Sequence, residues 1–132
     1  MAPGWAATLV DPLDTLWIMG LSQEFQGAVR ATVSINCAVM PDTACTMFET
    51  NIRHLGEPLA AYDLSGEPTL LAQAIELWDV LHAGLDTPCH MPPFWLDSEK
   101  VKTGQLVAED HQISAAVGSF TLEFSRLSQI KS

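Results

Sequence analysis

The sequence predicts an all-α fold built from antiparallel helical hairpins. Three observations carry this expectation. Apolar residues recur at three- and four-residue spacing along most of the 132 residues, which is the period of an amphipathic helix. Capping and breaking residues bound the segments so marked, and no pair of alternating apolar runs reads as a β-hairpin.

Taken in order, Asp11-Pro12 places an N-cap before a proline at the first helical position, with Asp14 three residues on. Leu13, Leu16, Trp17 and Gly20 then share one face. A second helix starts at Ser22 and carries Phe25, Ala28, Val29 and Val33. Residues 36–46, with Asn36, Pro41 and Asp42, read as a connector. The most regular stripe follows: Phe48, Ile52, Leu55, Leu59 and Tyr62 mark one side of a third helix, stopped by Ser65-Gly66. Pro68-Thr69 starts a fourth, with Leu70, Leu71, Ala74, Leu77, Trp78 and Leu81 inward, ended by Asp86-Thr87-Pro88. A polar, proline-containing loop is expected over residues 88–112, and Ile113, Val117, Phe120, Phe124 and Leu127 form a last helical face. About five helices joined mostly by short turns should pair as hairpins. No repeat of fixed period supports a solenoid.

Composition narrows the function classes. Hydrophobic residues at 48% against 17% charged are too apolar for a disordered chain. The net charge of −10, from 6 Lys and Arg against 16 Asp and Glu, leaves no basic stripe for phosphates, so nucleic acid is not an expected partner. Direct contact with an anionic membrane is disfavoured for the same reason, and the apolar runs are too short to span one. Cys37, Cys45 and Cys89 form neither a zinc spacing nor a closed disulfide set. His54, His82, His90 and His111 lack metal-ligand spacing. The rings of Trp5, Trp17, Trp78 and Trp95 read most simply as packing residues.

One pair could carry chemistry. Glu49 and Arg53 lie four apart and project from one side of the third helix. A carboxyl group can protonate a leaving oxygen, and a guanidinium fork can hold hydroxyls. The same spacing also describes an ordinary surface ion pair. Asp11 and Asp14 read as a helix cap and a first-turn charge, and Glu123 as a solvated glutamate or a residue approaching the same site.

The stretches Trp5 to Leu21, Phe48-Glu49-Thr50-Asn51-Ile52-Arg53-His54-Leu55-Gly56, Ala61 to Gly66, Asp86-Thr87-Pro88 with Met91-Pro92, and Leu122 to Gln129 resemble, in the same order, the signatures of glycoside hydrolase family 47, the class I α-1,2-mannosidases, and most closely their fungal branch. The resemblance implies the first part of an (α/α)7 barrel of helical hairpins. It implies a calcium-dependent, inverting hydrolase of terminal α-1,2-linked mannose on high-mannose N-glycans, acting in the endoplasmic reticulum or Golgi or secreted. By the same resemblance Glu49 corresponds to the general acid and Arg53 to the arginine that reaches the bound mannose. The family's calcium-binding threonine and its two other acidic catalytic residues match no motif between residues 1 and 132, so no metal ligand is assigned here.

Two local departures stand out. The family usually follows its arginine motif with two glycines and a leucine, whereas this chain reads Gly56-Glu57-Pro58-Leu59. A proline inside a helix clashes with the carbonyl four residues back, here that of His54, at about 3 kcal/mol or more. Many members also carry a pocket-wall glutamate before the final block, where this chain has Ala116. Residues 1–132 are therefore expected to be the opening portion of an incomplete catalytic domain, inactive alone. The alternative is a helical interaction module that keeps the scaffold without the chemistry.

Overall fold

The computed structural model describes residues 6–35 and 45–132. Helix α1 (Ala7–Val10) leads into α2 (Leu13–Ile18) and α3 (Ser22–Val33). A long helical run follows, made of α4 (Met47–Glu49), a π turn (Thr50–Gly56) and α5 (Glu57–Ser65). Helix α6 (Pro68–Ala83) returns antiparallel to it, and α7 (Ser98–Thr103), α8 (Ser114–Gly118) and α9 (Phe120–Lys131) complete the chain. Two short strands, β1 (Cys45–Thr46) and β2 (Trp95–Leu96), pair antiparallel with Cys45 opposite Leu96.

The hairpin of α5 and α6 shows how the sequence builds the fold. Gly66 adopts φ 72° and its N–H bonds the Tyr62 carbonyl, ending α5 in the left-handed cap that glycine allows. Glu67 then caps α6 by accepting from the Thr69 N–H and hydroxyl, with Pro68 at the first helical position. Along α6, Leu70, Ala74, Leu77 and Leu81 are all 0% exposed, as the stripe predicts. Gln73 donates from Nε2 to the Thr32 carbonyl at 2.7 Å, satisfying the end of α3 inside the core. One core cluster gathers Met47, Leu55, Leu77, Leu81, Leu96, Phe120 and Leu127, and a second gathers Val10, Leu13, Phe25, Val29, Ala61 and Leu70.

Three expectations are corrected. The loop over residues 88–112 contains β2 and α7. Asp97 starts α7 by accepting from the Glu99 and Lys100 N–H groups, a local cap strong enough to form a helix too short to show a stripe. The proline does not break the third helix, because Pro58 sits in the first turn of α5, just past the π turn. The i to i+5 bonding of the preceding turn interrupts the regular ladder in which a proline ring meets the carbonyl four residues back. Val33 and Ile113, expected on inward faces, are 41% and 69% exposed, Ile113 standing before the first turn of α8. The connector is described only at Cys45 and Thr46, and Trp5 and Cys37 lie outside the described residues.

Candidate active site

The π turn is packed against α1, α6 and α9, which buries Thr50, Asn51, His54 and Leu55 and leaves one side open. Glu49 and Arg53 occupy that open side. Arg53 Nε donates to Glu49 Oε2 at 2.7 Å, and Arg53 Nη1 donates to Asp11 Oδ2. One guanidinium thus holds two carboxylates, and all three side chains keep about a third to a half of their surface exposed. The two anions, Glu49 foremost through its hydrogen bond, push the Arg53 pKa up, so it is a permanent cation.

Asp11 departs from its expected role. It does not cap α2, whose N-cap position is Pro12 and has no side-chain hydrogen bond. Its carboxylate turns to Arg53, drawn by the charge-assisted bond. The α2 amide of Asp14 is satisfied instead by Glu57 Oε1 at 2.7 Å, from 43 residues away. Glu57 and the role of the Asp14 amide were both invisible to periodicity. The signal that could have found them was the Glu57-Pro58 departure itself.

His54 lies behind Arg53 and is buried. Burial chiefly lowers its pKa, the Arg53 charge adds to that, and Asp11 opposes it. Glu123 reaches the far side of the turn, where its Oε2 accepts from Asn51 Nδ2 at 2.8 Å. A Cβ on Gly56 would stand 3.3 Å from Glu123 Oε1, so the glycine allows this close approach. A cavity of about 190 Å³ lies between α5 and α9, walled in part by Gly56, Leu59 and Glu123; Glu49 and Arg53 are not among its walls.

Residues 1–132 match the sequence pattern of glycosyl hydrolase family 47 from end to end. The chain belongs to that family. It is 40% identical over 128 residues to a mannosyl-oligosaccharide 1,2-alpha-mannosidase of Arabidopsis thaliana, covering 96% of this chain and 23% of that protein. It is 37% identical over 132 residues to the endoplasmic reticulum mannosyl-oligosaccharide 1,2-alpha-mannosidase of Rattus norvegicus, covering 96% of this chain and 19% of that protein. In structure it resembles an alpha-1,2-mannosidase from Trichoderma reesei with a TM-score of 0.82 and 28% identity, over 97% of this chain and 29% of the other. The hairpins are thus those of part of an (α/α)7 barrel. The chain spans about a fifth of the length of these curated relatives.

Calcium in a family 47 enzyme would need six to eight oxygen ligands. Among the described residues no three His, Cys, Asp or Glu side chains converge on one point. Backbone carbonyls, side-chain amides and water ligate calcium as well as carboxylates do. No helix of the described residues is long and apolar enough to cross a membrane.

Proposed function

We propose that this chain contributes to the hydrolysis of terminal α-1,2-linked mannose from high-mannose N-glycans, with inversion and with calcium held by residues other than those described. The observation that carries the reading is the Glu49–Arg53–Asp11 arrangement on the open side of the π turn, in a chain that matches family 47 throughout. Glu49 is the general acid that protonates the leaving oxygen. Arg53 holds sugar hydroxyls, which displace one of the two carboxylates from its fork as the substrate enters. An inverting glycosidase also needs a base that activates water some 6.5–9.5 Å from the acid. Asp11 and Glu49 share one guanidinium, and neither is set apart for that role. Residues 1–132 alone are therefore inactive, as one portion of a catalytic domain. The name of the rat relative supports a location in the secretory pathway.

The test is a chimera in which the remaining region of a close relative is fused after Ser132. Glu49→Gln should cut mannose release by about 10²–10⁴-fold with little loss of glycan binding. Arg53→Ala should weaken binding as well. An active chimera whose turnover stayed within about twofold on Glu49→Gln, far short of the general-acid range, would show Glu49 to be structural. Release of mannose by residues 1–132 alone would refute the claim of inactivity.

A further inference from the structure

We infer that Glu57 is a positioning residue: it caps α2 from across the fold and thereby frees Asp11 to hold Arg53. A helix start leaves backbone N–H groups without partners, and a nearby side-chain oxygen usually fills the need. Both local carboxylates are otherwise engaged. Asp11 is bound to Arg53, and Asp14 Oδ1 accepts the Thr15 hydroxyl at 3.0 Å. Glu57 Oε1 meets the N–H of Asp14, the second residue of α2, where a cap acceptor belongs.

The arrangement is a double clasp. Asp11 and Asp14 are three apart on one strand of chain, and they meet Arg53 and Glu57, four apart on the other. Fixing the Asp14 amide fixes the turn that carries Asp11. The position is a poor one for a carboxyl group in every other respect, being half-buried beside two further carboxylates, and burial raises its pKa to about 7. The Asp14 N–H is what offsets this.

The importance of Arg53 to sugar binding rests on the proposed function, but the clasp is read without activity. In the isotopically labelled wild-type chain, a scalar coupling across the hydrogen bond should link the Asp14 amide nitrogen to the Glu57 carboxyl carbon. Glu57→Ala should speed hydrogen exchange at the Asp14 amide about fivefold or more and shift the Arg53 Nη resonances, where Asp11 bonds. Glu57→Gln keeps an acceptor oxygen and should preserve both signals. Absence of the wild-type coupling would overturn the cap, and this measurement stands even if Glu57→Ala fails to fold. Faster exchange at Asp14 with an unmoved Arg53 signal would overturn the positioning role. An Arg53→Ala chimera that binds glycan normally would sink the mannosidase role of Arg53 and leave these signals untouched.

Discussion

Asn51 Nδ2 donates to Glu123 Oε2 at 2.8 Å, tying the π turn to α9 across 72 residues of sequence. Asn51 is 0% exposed. Asn51→Ala would leave the half-buried Glu123 carboxylate without this donor, at a cost of about 1–2 kcal/mol. The cost falls in the lower part of the range because Asn51 Oδ1 is itself buried without a hydrogen-bond partner, and the substitution removes it too. Urea unfolding should show a lower midpoint with an unchanged slope. An unchanged midpoint would mean that water takes the place of the amide.

Gly84 ends α6 where β2 and α4 come closest. A Cβ there would lie 2.8 Å from Met47 Sδ and Cε and 2.9 Å from Leu96 Cδ1. Both neighbours are buried in the core, so Gly84→Ala should destabilise by about 1–3 kcal/mol through overpacking. Met47→Val removes the crowded end of the thioether. The double variant should therefore lose less stability than the two single changes added together, as measured by a double-mutant cycle.

Pro58 gives a third test. An interior proline would make Pro58→Ala stabilising by about 3 kcal/mol. Directly after the π turn, where the i to i+4 ladder is already interrupted, the ring costs less, so the change should stay within about 1 kcal/mol. A gain near the larger figure would show the π turn to be strained by the ring.

Stability should also depend on pH through Glu57. Burial chiefly, with the Asp14 and Asp11 carboxylates adding to it, pushes its pKa from the ordinary 4.5 to about 7, while the Asp14 N–H pulls the other way. The folded chain thus keeps this proton after the unfolded chain has lost it, and stability falls as pH rises from about 4.5 to about 7. His54 works in the opposite sense. Its lowered pKa makes the unfolded chain the better proton binder below 6.5, so its contribution falls as pH drops. Arg53 stays charged throughout, and α9 brings Glu123 and Arg126 to the hollow beside Gly56. Glu57→Gln isolates the first effect: relative to the variant, wild type should lose urea resistance across that window. Parallel curves would refute the assignment.

Periodicity located the inward face of α6 and, on α3, that of Phe25, Ala28 and Val29, because each helix buries one face; Val33 at the end of α3 is 41% exposed and Thr32 is buried in its place. Leu70, Leu77 and Leu81 are where the spacing puts them. It failed for Met47, Asn51 and His54, which are buried beside the Phe48–Ile52 stripe rather than on it. The π turn is enclosed by three helices, and a single-stripe reading has no way to express that. The Glu49–Arg53 contact was legible because four-residue spacing brings such pairs together. Asp11 was not, since local rules assign it to its own helix and only the tertiary arrangement reveals the stronger partner. The same holds for Arg126 of α9, which clasps Asp63 of α5 through Nε at 2.8 Å and Nη2 at 2.6 Å.

The π turn has a mechanical meaning beyond its tolerance of Pro58. Each residue advances an α-helix by about 100°, and a π turn takes up an additional residue by bonding i to i+5. The run from Met47 to Ser65 is therefore a shaft with a swivel between Thr50 and Gly56. Above the swivel Met47 is held in the core, and Glu49 two residues on meets Arg53. Below it, the azimuth of Leu59 and Ala61 is set by the core. Lengthening or shortening the shaft by one residue within the swivel would turn one half against the other.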